Sequence, residues 1–445
     1  MSINTGHGNL APPRRRVRPN GPRLMGFMNA AVASWESMSR RRQFLSTPAE
    51  LLELAARRIG LRDFGDARLA EPLEMLCATL RDSPQLTAAG RIVLRADLLQ
   101  RLCNRLEIEY EGKLFPELAS APVRQPWFVL GWPRSGTTLL HRLLALDPAH
   151  RAPLTWEIYR PCPSPDPAMA HADFRIKQAE RGVRLFHYFG PDYRTIHEVG
   201  ASLPEECLGL VANSLVSDWF HAGCRADEYM QWYFAQDLTA TYALHRQQLR
   251  ILQRKWPRRR WVLKAPTHLH GLPWLLRIYP DARIIQTHRD PAEALPSLAS
   301  LFAVVRGMNC REIDPVEVAR EMCELMSRML LDCMKARDAE TRRRDSRARF
   351  ADVYYSDLAA DPIATVETLY RSLGEELGAE ARTAMQRYLS EQPRHKHGVH
   401  RYDRAQFGID VPRERERLKF YYERFEPAAG STRPAWMADR DHRST

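Results

Sequence analysis

The stretch from Trp127 to Leu144 constrains the fold more than any other part of this 445-residue chain. Trp127-Phe-Val-Leu130 is a short continuous apolar run, the pattern of a strand buried on both faces of a parallel sheet. Gly131-Trp-Pro-Arg134-Ser135-Gly136-Thr137-Thr138 follows at once, and Leu139-Leu-His-Arg-Leu-Leu144 then reads as a helix. Strand, glycine-bearing loop and helix in that order present backbone N–H groups and a positive helix end to a phosphate. Further strands are predicted at Trp261–Lys264, Ala282–Arg289 and Arg349–Tyr355, with a helix over Leu269–Tyr279. Strands alternating with helices predict an α/β fold, a central parallel sheet with helices on both faces.

Around that nucleus the chain divides by pattern. Residues 1–22 read as a basic leader without a secretory apolar core, and proline interrupts any amphipathic helix there. Residues 23–120 carry helical spacing, with Pro48 at a first turn and further segments at Leu69–Leu80 and Gly90–Leu106, and form an expected N-terminal helical layer. The α/β domain is expected over 121–430, with a mostly helical insertion at about 165–255 and a closing helix over Pro412–Arg424. Residues 431–445 read as a flexible tail. No run of 18 apolar residues without a charge occurs, so no membrane-spanning helix is expected, although peripheral membrane contact stays open.

Composition enters through charge and thiols. The 66 Lys+Arg against 54 Asp+Glu give +12, which suits either a solvated arginine-rich surface or a basic pocket for a polyanion. Nucleic-acid recognition modules are absent, so no DNA or RNA role is expected. The eight cysteines are scattered with no CxxC pair, which argues against a disulfide framework or zinc and for reduced thiols in the cytoplasm.

Gly131-x4-Gly136 matches the front half of a nucleotide P-loop, but Thr137-Thr138 stands where such a loop carries Lys-Ser/Thr. Without that lysine, cleavage of ATP through Mg²⁺ is poorly served. The cation here, Arg134, precedes Ser135-Gly136. An anion can still be cradled.

Pro133-Arg-Ser-Gly-Thr-Thr-Leu-Leu140 resembles the 5′-phosphosulfate loop of sulfotransferases that use 3′-phosphoadenosine 5′-phosphosulfate (PAPS). Arg289-Asp-Pro-Ala-Glu-Ala-Leu-Pro-Ser297 resembles that family's 3′-phosphate element, with arginine and serine at the same separation. Val353-Tyr-Tyr-Ser-Asp-Leu358 is similar to its Tyr-Glu-Asp-Leu segment, with Ser356 replacing the glutamate. The similarity is closest to bacterial-type sulfotransferases and implies a P-loop-like three-layer fold. It further implies PAPS as sulfuryl donor, held by Arg134, Ser135, Gly136, Thr137, Thr138, Arg289, Ser297 and Tyr355, with no metal. Negative charge builds on the leaving phosphate during transfer, so Arg134 and Lys264 are expected to stabilise it. Arginine stands at 134 where many cytosolic relatives have lysine, and it keeps its proton at working pH.

The acceptor hydroxyl needs a general base. Glu157 in Leu154-Thr-Trp-Glu157 and His268 in Lys264-Ala-Pro-Thr-His268 are the expected candidates, with Glu205 or Glu206 in Pro204-Glu-Glu behind them. Lys396 and Arg401 are candidate gating contacts to the nucleotide. A small hydrophobic or lipid hydroxyl acceptor is the preferred class. A P-loop-type kinase or NTPase and a catalytically silent nucleotide-binding relative are the competing readings.

Overall fold

In the computed structural model, the described residues are 47–425 apart from 167, 169–171, 255, 257–258, 343–348 and 392–402. The leader at 1–22, the start of the helical layer, Lys396, Arg401 and the tail at 431–445 lie outside them.

Five parallel strands form one sheet in the order β2-β3-β1-β4-β5, namely β1 (Trp127–Gly131), β2 (His150–Arg151), β3 (Arg260–Lys264), β4 (Arg283–His288) and β5 (Phe350–Tyr354). Successive residues of a strand face opposite sides, and the core follows that alternation. Phe128, Leu130, Leu263 and Ile284 pack into one cluster with the Ala88–Leu114, His268–Ile278, Pro291–Gly307 and Pro315–Thr341 helices. Trp127, Val129, Val262, Ile285, Ala351 and Val353 pack into another with the Thr137–Leu144, Pro362–Ser372 and Ala379–Glu391 helices. Helix, sheet and helix make the three layers of a P-loop-like α/β fold.

Local chemistry sets the helix starts. Thr47 caps the Pro48–Ile59 helix through a reciprocal box with Glu50, and the Thr87 hydroxyl accepts from the Gly90 amide to open Ala88–Leu114. Asp290-Pro291, Asp314-Pro315 and Asp361-Pro362 repeat one device: the aspartate accepts first-turn amides while proline supplies a pre-set φ.

Two expectations differ from the structure. β2 was not foreseen: its two polar residues give no apolar run, and it holds only through pairing of His150–Arg151 with Arg260–Trp261. The closing helix is two, Val411–Arg417 and Lys419–Phe425. Leu418, at the break, is buried in the core with Tyr421 and Phe425 of the second helix.

Candidate active site

The loop after β1 is shaped by what lies beneath it. Gly131 pairs in register with Thr287 of β4, and a Cβ on Gly131 would sit 2.6 Å from the Thr287 carbonyl oxygen. Only glycine lets the two backbones approach this closely. Ser135 Oγ donates to the Trp132 carbonyl and lies 2.5 Å from the Thr287 hydroxyl, which fixes the turn from inside. Gly136, at φ 88°, precedes the Thr137–Leu144 helix as its cap and brings no side chain to the first turn. The first-turn amides and the positive dipole end make such a helix start favourable to an anion.

Arg134 holds φ 71°, a left-handed conformation that disfavours an L side chain by roughly 1–2 kcal/mol. Arg134 Nε donates to Ser297 Oγ at 3.1 Å, and Nη1 donates to the Ile196 carbonyl at 3.0 Å. Arg289, just past β4, donates to the Arg134 carbonyl at 2.9 Å, and its guanidinium lies 4.4 Å from the Tyr355 ring centre. Its Nε is buried with no hydrogen-bond partner among the described residues. Asp290 secures the start of the helix bearing Ser297: it caps Ala292 and is gripped in turn by Arg415 and Tyr422. Six of the expected residues, Arg134, Ser135, Gly136, Arg289, Ser297 and Tyr355, thus converge on one place.

A second group adjoins it. Lys264 ends β3 with a side chain only 2% exposed, and Nζ donates to Glu206 Oε1 at 2.5 Å and to Thr138 Oγ1 at 3.3 Å. Glu205 faces His197 at 3.4 Å. Burial works to raise the Glu205 carboxyl, but His197, Lys264 and the Glu206 amide outweigh it and hold it at about 2. The ammonium of Lys264 therefore sits between a loop hydroxyl and a carboxylate that keeps a quarter of its surface open.

The sequence profile of the sulfotransferase family matches residues 126–379, more than half of the chain and the span that contains both groups. The chain belongs to the sulfotransferase family. Its fold matches the crystal structure of sulfotransferase STF1 from Mycobacterium tuberculosis with a TM-score of 0.75 and 32% identity, over 85% of this chain and 99% of that one. STF9 from Mycobacterium avium matches with a TM-score of 0.75 and 27% identity, over 87% and 98%. The omega-hydroxy-beta-dihydromenaquinone-9 sulfotransferase Stf3 of Mycobacterium bovis is 26% identical over 263 residues, 56% of this chain. The match spans 62% of that relative's length.

In this sulfotransferase the hydrogen bonds of the two leading candidates for the base run to other parts of the fold than the loop. Glu157 is 1% exposed, ion-paired with Arg151, and accepts the Leu154 amide at 2.9 Å. His268 is fully buried: one ring nitrogen meets Cys207 Sγ at 3.0 Å, the other the Tyr242 hydroxyl at 2.9 Å, and Phe128 stands edge-on at 5.1 Å. Burial drives its pKa well below the ordinary histidine value, with His245 adding to the effect. Glu206, which with Glu205 stood behind these two as an alternative, is the carboxylate that meets Lys264. The contributions of Thr287, Ile196 and His197 carried no sequence signal, because each depends on a tertiary approach.

His221, Asp227 and Glu321 bring three ligand-type atoms within 4.8 Å of one another. Arg306 binds Glu321 through two nitrogens and Arg225 holds Asp227, so arginines already answer the charge that would attract an ion.

Proposed function

We propose that this sulfotransferase moves the sulfuryl group of PAPS to a hydroxyl of a lipid or other hydrophobic acceptor. The observation that carries the reading is the convergence of Arg134, Arg289 and Ser297 beside a glycine-capped helix start, with Lys264 and Glu206 adjoining through Thr138. The donor set fits a molecule with two separated phosphates. The buried Arg289 Nε and the Ser297 hydroxyl suit the 3′-phosphate, the loop amides with Thr137 and Thr138 suit the 5′-phosphosulfate, and the Tyr355 ring suits an adenine face.

Glu206 then takes the proton of the acceptor hydroxyl as that oxygen forms its bond to sulfur. The bond from sulfur to the bridging oxygen breaks, and its electron pair stays on the departing phosphate. Lys264 and Arg134 stabilise the charge that develops there, and a fixed cation in such a place contributes a few kcal/mol. The Thr138 hydroxyl and Glu206 hold Lys264 between donor and acceptor. The terminal sulfuryl carries a single charge, so the chemistry asks less of a metal than γ-phosphate transfer does.

One feature supports the acceptor class. Stf3, a relative by sequence, is named for a hydroxylated menaquinone, a polyprenyl lipid. Among the described residues no helix is long and apolar enough to cross a membrane. All eight cysteines are free and buried, which suits a cytoplasmic setting. The test is transfer from labelled PAPS to a panel of hydroxylated polyprenyl and aryl compounds, with Arg134→Ala in parallel. Labelled product from at least one polyprenyl alcohol, reduced about 10²–10³-fold by the substitution, is expected. No product from any hydroxyl acceptor contradicts the reading.

A further inference from the structure

The Phe174–Phe189 helix is held from its inner side, by Arg175, Ile176 and Ala179 against Trp156, and turns an unusual set of side chains outward. Only Arg175 and Ala179 of its residues are buried. Phe174, Leu185 and Tyr188 are 52%, 56% and 49% exposed, among the largest apolar exposures of the described chain. With Arg181 they are spaced by seven, four and three residues, so they fall on one stripe, and exposed Lys177 and Arg184 run along its edge. No described acidic residue pairs with any of the three cations. Single exposed apolar residues need no explanation, but three large ones on one helix stripe among free cations do.

The segment that follows reaches the candidate active site. Phe186 packs edge-on against Tyr193 at 4.7 Å, and Tyr193 packs against His197 at 5.9 Å. Beyond it the Ile196 carbonyl accepts from Arg134, His197 meets Glu205, and Glu198 holds Arg142. The helix is thus coupled by packed rings to the wall between the donor loop and the Glu205-Glu206 pair.

We infer that the outer stripe of the Phe174–Phe189 helix docks on a lipid bilayer bearing anionic headgroups and sets the site against the surface from which its acceptor comes. Apolar side chains flanked by cations on one face of a helix that lies flat are the chemistry of interfacial binding, and the positive edge selects anionic headgroups. The inference rests on the proposed lipid acceptor, but the two can fail separately.

The experiment is co-sedimentation of the full chain with phosphatidylglycerol–phosphatidylcholine vesicles and with phosphatidylcholine vesicles alone, at low and high salt. Leu185→Glu/Tyr188→Glu and Arg181→Glu/Arg184→Glu are compared with the parent chain. All four positions are exposed, so melting temperature and turnover of a water-soluble hydroxyl acceptor should stay unchanged and serve as the check on folding. Binding to the anionic vesicles alone is expected, weakening with salt and falling at least tenfold in each double variant. Absence of vesicle binding, equal binding to neutral vesicles, or equal binding by the variants overturns the inference. So does a dimer in sedimentation velocity that the Leu185→Glu/Tyr188→Glu change dissolves, since the stripe would then cover a second copy. Loss of nucleotide binding or transfer with vesicle binding retained would count against the proposed reaction and leave this surface standing.

Discussion

Glu157 and Glu206 both sit beside a cation, yet their surroundings give them different work. Glu157 is sealed in with Arg151, and Arg151 itself lies over the Trp256 and Trp261 rings, so the pair is part of the packing. Glu206 is a quarter exposed and touches the lysine that meets the donor loop. Glu157→Ala should therefore lower stability by about 3–5 kcal/mol, read from urea unfolding, because it strands a buried charge. Glu206→Gln keeps an amide oxygen toward Lys264 but removes the charge opposite a nearly buried ammonium, so it should cost some stability as well and, in addition, lower kcat by about 10²–10⁴-fold. Nucleotide affinity should hold. Equal activity losses with equal destabilisation in both would remove the distinction. The sequence carried the Pro204-Glu-Glu motif but placed it behind Glu157 and His268, because the contact between Glu206 and Lys264 spans 58 positions.

At the scale of elements, the loop between β1 and the Thr137–Leu144 helix was legible and its support was not. The apolar run, the two glycines and the following helix pattern read directly because β1 is buried on both faces. The reason for the first glycine lies on β4, where Thr287 fills the space a Cβ would need. Gly131→Ala should accordingly destabilise by about 1–3 kcal/mol through forced separation of β1 from β4. It should also weaken nucleotide binding, since Ser135 is tied to the same Thr287 hydroxyl. A fully active, equally stable Gly131→Ala protein would refute this account of the loop. The Arg289-Asp290-Pro291 element was legible as the start of the helix that carries Ser297. The grip of Arg415 and Tyr422 on Asp290 comes from the far end of the chain and leaves no local trace.

For the whole molecule, the alternation of strands and helices was enough to read the layers, whereas the short edge strand β2 and the break at Leu418 depend on tertiary pairing and packing. Stability as a function of pH reports on the assembled site. Glu205 has a folded pKa of about 2 against 4.5 for a free glutamate, so it binds a proton more readily unfolded than folded. Its contribution, on the order of 3 kcal/mol, is therefore fully present above pH 4.5 and lost as pH falls toward 2. Urea midpoints of Glu205→Gln should show a shallower decline across that window than the parent, and identical slopes would deny Glu205 its depressed pKa.

In the proposed reaction one nucleotide bridges the loop at Arg134 and the element from Arg289 to Ser297. Isothermal titration of 3′-phosphoadenosine 5′-phosphate into the parent chain, Arg289→Ala and Ser297→Ala is the sharpest check. Micromolar or tighter binding by the parent is expected, with a loss of at least tenfold in Arg289→Ala, a smaller loss in Ser297→Ala, and no competition from ATP with Mg²⁺. Unchanged affinity in both variants, or no binding by a folded parent chain, would contradict the bridging.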